Sequence, residues 1–133
     1  MQCRGIRGAT TVAQNDREHI LAATQELLKQ MVEANGLHPE DIACVLFTTT
    51  RDLNAEFPAV AAREMGWTTV PLMCGHEMDV PGSLSLCLRV MMMCNTDKQA
   101  GEVVHVYSGG ATELRTRGAV VRQNPCPSHE ESA

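Results

Sequence analysis

Only one stretch of this chain has a helical stripe of any length, and it sits among five runs of strand character. Ile20, Leu21, Thr24, Leu27, Leu28, Met31 and Val32 recur at helical spacing and form one apolar face. Asp16 ahead of the stripe suits an N-cap, Glu18 puts negative charge in the first turn, and Gly36 is the expected left-handed stop. These signals predict one helix of roughly 18–20 residues. The strand-like runs are Cys3 to Val12, Ile42 to Thr50, Thr68 to Met73, Leu84 to Cys94 and Val103 to Tyr107. The second is β-branched and apolar enough for an interior strand, whereas Pro71 marks the third as an edge or an irregular ladder. Pro58 fits the first position of a short helix, Ala59 to Met65. The order β-α-β-α-β-β-β predicts an α+β (mixed α/β) fold: a single five-stranded mixed sheet packed on one long helix, with short helices. One helix cannot cover five strands. The other face of the sheet must be buried differently, and self-association is the simplest way.

At 133 residues the chain has the length of one domain, placed at residues 1–120. Residues 121–133 have the composition of a flexible C-terminal tail. The four aromatic residues are Phe47, Phe57, Trp67 and Tyr107, and the net charge is −5. Neither fits a reader of nucleic acid, which needs stacking rings or a basic footprint. No run reaches the ~18–20 apolar residues of a membrane span, and the start of the chain lacks the apolar core of a secretion signal. The six cysteines are therefore expected mostly as free thiols in the reducing cytoplasm. Cys74 and His76 lack companions at zinc-ligand spacing, so no metal and no cofactor are expected.

Nucleophilic and acid–base signatures are also missing. There is no Gly-x-Ser-x-Gly and no phosphate loop, and Gly5-Ile6-Arg7-Gly8 is half a dinucleotide fingerprint at the wrong place. His105 lies between apolar residues, where a satisfied core histidine is the commoner case. What remains is a set of polar residues in or beside apolar runs: Arg7, Cys74, Glu77, Arg89 and Tyr107. Arg89 needs an anionic partner because an unpaired guanidinium among Leu, Val and Met is costly. Glu77, a chain terminus or a ligand could each supply it, so a structural ion pair and a ligand site both stay open. Nine of the eleven basic residues are arginine. Bidentate binding of carboxylates and a mere compositional bias account for that excess equally well.

Several strings together resemble a known family. They are RGIRGATTV from Arg4, DLNAEFPAxAAR from Asp52 to Arg63, GWxxVPxxC from Gly66 to Cys74, EMDVxG from Glu77 to Gly82, CLRVMM from Cys87 and HVY from His105. In this order, from about residue 2 to Arg115, they resemble the monofunctional, AroH-type chorismate mutases. The resemblance implies a homotrimer with a pseudo-barrel core and active sites between subunits. It also implies rearrangement of chorismate to prephenate in aromatic amino-acid (Phe/Tyr) biosynthesis. That reaction is pericyclic, which agrees with the missing nucleophile and base.

By the same resemblance, Arg89 acts at the ether oxygen, with Glu77 and Cys74 at the ring hydroxyl. Arg7 and Tyr107 bind a carboxylate, Phe57 forms an apolar wall, and Arg63 and Arg115 stand at the mouth. Arg7 and Arg89 are expected on different subunits of one cleft. Val60 and Met73 depart from the family pattern, which often has a basic and a hydroxyl-bearing residue there. Two alternatives remain: a trimeric carboxylate-binding or enamine/imine deaminase-like protein of similar architecture, and a structural protein whose arginines make inter-subunit ion pairs.

Overall fold

The computed structural model describes residues 1–115. The expected tail at 121–133, the boundary at residue 120 and Cys126 lie outside the described residues. The elements are β1 (Gln2–Thr11), α1 (Arg17–Asn35), β2 (Ile42–Thr49), α2 (Ala59–Glu64), β3 (Leu72–His76), β4 (Cys87–Thr96) and β5 (Val106–Tyr107), with short 3₁₀ turns between some of them. The five strands form one mixed sheet in the order β3-β2-β4-β1-β5. β4 runs antiparallel to both β1 and β2, while β3 and β5 pair parallel at the two edges.

α1 begins and ends where its caps dictate. The Asp16 carboxylate accepts the backbone N–H of His19, and Gly36 takes the left-handed conformation with φ 63°. Its buried face carries Ile20, Leu21, Thr24, Leu27, Leu28 and Met31. These side chains cover the sheet face formed by Ile6, Val45, Phe47, Leu88, Val90 and Met92, all in the same buried cluster. Gly8 lets the helix approach closely: a Cβ there would lie 2.4 Å from Met31 Sδ and 3.3 Å from Leu27 Cδ1.

Three strands start three or four residues later than the sequence predicts, each for a local reason. β3 starts at Leu72, not Thr68: Pro71 has no N–H, and pairing opens with its carbonyl accepting from Val45 N–H at 3.0 Å. β4 starts at Cys87, not Leu84, because Leu86 turns the chain with φ 50°. The Asp52 carboxylate accepts the Leu86 N–H in that turn. β5 is reduced to two residues because both backbone groups of Val104 are taken by Asn35, at 2.7 and 2.9 Å.

The sheet face away from α1 is open in the single chain. Leu46, Met73 and Met91 lie in register across it, with Met73 66% exposed.

The contact at Gly8 has a measurable consequence. Gly8→Ala should destabilise by about 1–3 kcal/mol through overpacking. Met31→Ala should cost about 2–5 kcal/mol through the cavity it leaves. The double variant should fall short of the sum by ~0.5–3 kcal/mol, since each change relieves the other. Urea unfolding at one fixed protein concentration measures all three, and strict additivity would mean that the two residues do not meet.

Candidate active site

Strand register builds the site on the open face. Tyr107 lies beside Ala9, Ala9 opposite Arg89, Arg89 opposite Thr48, and Thr48 beside Gly75. One row therefore crosses all five strands with a phenol, a guanidinium and a hydroxyl, with Ala9 between the first two and Gly75 at the end. The next row runs Arg7, Met91, Leu46, Met73. Side chains two apart on a strand share a face, so a second arginine joins the polar row above an apolar floor. Arg7, Leu46, Thr48, Glu77, Arg89, Tyr107 and Leu114 line a cleft of about 450 Å³.

Glu77 reaches this row from just beyond β3. Its backbone N–H donates to the Thr49 carbonyl at 2.8 Å, which fixes the residue at the end of the ladder. One carboxylate oxygen accepts the Thr48 hydroxyl and also faces Arg89 Nη1 at 3.3 Å. The anionic partner of Arg89 is therefore Glu77. The arginine side chain is nevertheless 51% exposed. An ion pair so open to water adds little to stability. Its consequence is orientation: Glu77 takes one end of the guanidinium, and the remaining donors stay available to the cleft.

The structure groups four of the eight candidate residues in this cleft: Arg7, Glu77, Arg89 and Tyr107. Arg7 and Arg89 belong to the same cleft of one chain, so the expectation that they come from different subunits is corrected. The register Arg7↔Met91, Ala9↔Arg89 places them on one face of adjacent strands. Phe57, Arg63 and Cys74 lie elsewhere. Cys74 pairs with the buried Phe47 and so projects to the helix side, against the first turn of α2. Phe57, 67% exposed, precedes that helix, and Arg63 lies on it. The Arg115 side chain lies outside the described residues.

The cysteines offer no activated nucleophile in this region. Burial pushes the Cys74 thiol up, against smaller opposite pulls from the Ala59 backbone N–H and the Arg63 charge. Burial likewise pushes Cys87 up to about 11 and raises Cys94. Thiols with raised pKa stay protonated near neutrality and react slowly. Among the described residues no group of three or more His, Cys, Asp or Glu is placed to hold a metal ion.

Thr48 and Leu114 are among the cleft residues that escaped the sequence reading. Thr48 was detectable in part: the alternation in β2 puts it opposite in facing to Val45 and Phe47. Its neighbour across the sheet could not be read from that alternation. Leu114 lies in the 3₁₀ segment Gly109–Arg115 and gives no periodic signal.

A cleft with two guanidiniums, one oriented carboxylate, a phenol and an apolar floor suits a compact small-molecule polyanion. Known proteins agree with that chemistry. The family profile Chorismate mutase type I matches residues 3–117. The chorismate mutase AroH of Bacillus subtilis (strain 168) is 47% identical over 116 residues, covering 86% of this chain and 91% of the relative. The chorismate mutase AroH of Thermus thermophilus is 50% identical over 113 residues, covering 84% and 93%. A solved chorismate mutase from Clostridium thermocellum is 58% identical and superposes with a TM-score of 0.80, covering 80% of this chain and 96% of that one. Sequence, fold and cleft thus lead to one conclusion: the chain belongs to the type I chorismate mutase family.

Proposed function

We propose that this protein is a chorismate mutase, an isomerase converting chorismate to prephenate on the route to phenylalanine and tyrosine, and that its active sites are completed between the subunits of a homotrimer. The observation that carries the catalytic reading is Arg89, oriented by Glu77, in one sheet row with Tyr107 and beside Arg7. The rearrangement breaks one C–O bond as one C–C bond forms. It needs no proton transfer and no covalent intermediate. What it needs is a dicarboxylate held in its compact conformer and a donor aimed at the ether oxygen as charge develops there. Arg89 supplies that donor. Arg7 and Tyr107 hold a carboxylate, and Glu77 keeps lone pairs free to accept the ring hydroxyl. The five cysteines among the described residues are free, which supports a reducing, cytoplasmic setting. No helix among the described residues is long and apolar enough to cross a membrane.

The remaining candidates support a shared site. Phe57, Arg63 and Cys74 gather at α2 and β3, away from the Arg89 row. A chain carrying two different half-sites completes them by a head-to-tail contact, and such contacts close into rings. Met73, exposed at the outer end of the apolar row, supplies apolar surface for the contact. In the ring, Phe57 of one subunit walls the cleft of its neighbour, Cys74 approaches the ring hydroxyl, and Arg63 and Arg115 stand at the mouth.

Loss of chorismate absorbance on mixing with the purified protein tests the activity directly. Arg89→Ala should lower kcat by about 10²–10³, and Arg89→Lys should recover little of it, because a point charge cannot bridge two oxygens as a fork does. An Arg89→Ala variant retaining more than about half of kcat would refute the role given to this group.

Subunit exchange tests the shared site. Arg89→Ala and the double variant Phe57→Ala/Arg63→Ala should each be inactive alone. Random mixing should restore up to about a quarter of wild-type activity, since a heterologous ring then holds sites with both halves intact. No recovery after confirmed exchange would confine the site to one chain.

The pH profile follows from the groups present. A guanidinium keeps its charge at every accessible pH. Cys74 is the thiol in the proposed site, and burial raises its pKa, so its ionisation moves further above neutrality. The profile of kcat should therefore be flat from about pH 6 to 8, with a solvent deuterium isotope effect near unity on the chemical step. A bell centred near neutrality and lost in His105→Gln would instead indicate acid–base chemistry of the deaminase kind.

A further inference from the structure

We infer that His105 is a positioning residue for Arg7, acting through the Arg7 backbone and fixed in place by the buried Asn35; the inference rests on the carboxylate-binding role given to Arg7 above. The segment before β5 approaches the sheet through side chains instead of a ladder. Asn35, 2% exposed in the last turn of α1, accepts the Val104 N–H through Oδ1 at 2.7 Å. Its amide nitrogen donates to the Val104 carbonyl at 2.9 Å and to the Met31 carbonyl at 2.8 Å. Residue 104 is thereby tied to the helix on both of its backbone groups. The next residue turns its ring to β1, where His105 Nδ1 accepts the Arg7 N–H at 3.0 Å. Only after this does ordinary parallel pairing begin, Val106 beside Gly8 and Tyr107 beside Ala9.

The ring thus stands where a strand carbonyl would otherwise stand. A backbone N–H can only donate, so Nδ1 must be the acceptor and the ring proton sits on Nε2. One residue then sets two things. It anchors β1 at the residue whose side chain lines the cleft, and it precedes by two positions the tyrosine that lines the same cleft. Removing the acceptor leaves the half-buried Arg7 N–H without its ring partner and frees β1 to shift against β5. Displacements of a fraction of an ångström weaken a carboxylate contact, and that contact exists in ground and transition states alike. The signature is therefore in KM more than in kcat.

Asparagine and glutamine separate this role from general packing. In His105→Asn the amide Oδ1 would lie close to the place of Nδ1, whereas glutamine carries its acceptor further out. Steady-state kinetics on wild type, His105→Leu, His105→Asn, Arg7→Ala and the double variant Arg7→Ala/His105→Leu decide the matter. His105→Leu should raise KM about tenfold with kcat changed less than about threefold. His105→Asn should return KM to within about threefold of wild type. In the Arg7→Ala background, His105→Leu should add less than about twofold, because the group it positions is gone. If His105→Leu fails to fold, His105→Gln takes its place with the same expectation. Equal impairment in the Asn variant and in the Leu or Gln variant, or a full His105→Leu penalty without Arg7, would overturn the inference. An Arg7→Ala variant with unchanged KM would overturn the carboxylate role itself and the inference with it. A raised KM in Arg7→Ala beside an unchanged one in His105→Leu would remove the His105 role alone.

Discussion

Core and cleft both depend on the register of β1 against β4. The pairing runs unbroken from Gln2↔Thr96 to Thr11↔Cys87. It sends Ile6, Leu88, Val90 and Met92 under α1 and leaves Arg7 and Arg89 on the opposite face. A slip of one residue would turn Arg89 into the helix interface and Leu88 into water. Burial on the helix side therefore specifies the position of Arg89, although the arginine takes no part in that burial. The end of the pair is also fixed. Val12 N–H donates to the Leu86 carbonyl at 2.8 Å, and Asp52 holds the Leu86 N–H where the backbone turns through positive φ. Leucine in that conformation is strained, and the carboxylate contact offsets the strain. The polar loop at Asp52 thus helps to set the start of β4, three residues before Arg89.

The electrostatics of the cleft separate orientation from stability. Glu77 and Arg89 are too exposed for their attraction to contribute much to folding. The same pair fixes the direction of a side chain with many rotamers, which is what stabilising a developing charge requires. Thr48 assists by donating to the same carboxylate oxygen. The aiming is done before substrate arrives, so less rotamer entropy is lost on binding. A reaction without proton transfer places no demand for a titrating group, and the half-buried thiol of Cys74 and the buried thiols of Cys87 and Cys94 are shifted away from reactivity.

The uncovered sheet face and the divided site proposed above are two sides of one problem. A domain with one long helix leaves half its sheet without a cover. The polar row and the apolar row lie side by side on that face, so a neighbour that covers Met73 also closes over the cleft that Leu46 and Met91 line. On this reading assembly excludes water from the reacting groups and raises the strength of their interactions.

The local features of the chain were legible in the sequence alone. The helix, its Asp16 and Gly36 caps, the five strands, the irregularity at Pro71 and the shortage of helical cover all follow from periodicity and turn chemistry, which act within a few residues. The polar outliers Arg7, Glu77, Arg89 and Tyr107 were visible as exceptions to that pattern, and the resemblance of the ordered strings supplied the chemistry. What required the tertiary structure was every relation between distant residues. Periodicity says that Arg7 and Arg89 each face one side of a strand, but not that both share a face of adjacent strands in one chain. It could not show that Cys74, three residues from Glu77, points to the opposite face. Nor could it show that Asn35 and His105 would shorten β5 by replacing its ladder. Alternation is a property of the local backbone, whereas register, partner and face are fixed by which long-range pairings bury the core, and that is decided only when the whole sheet closes on α1.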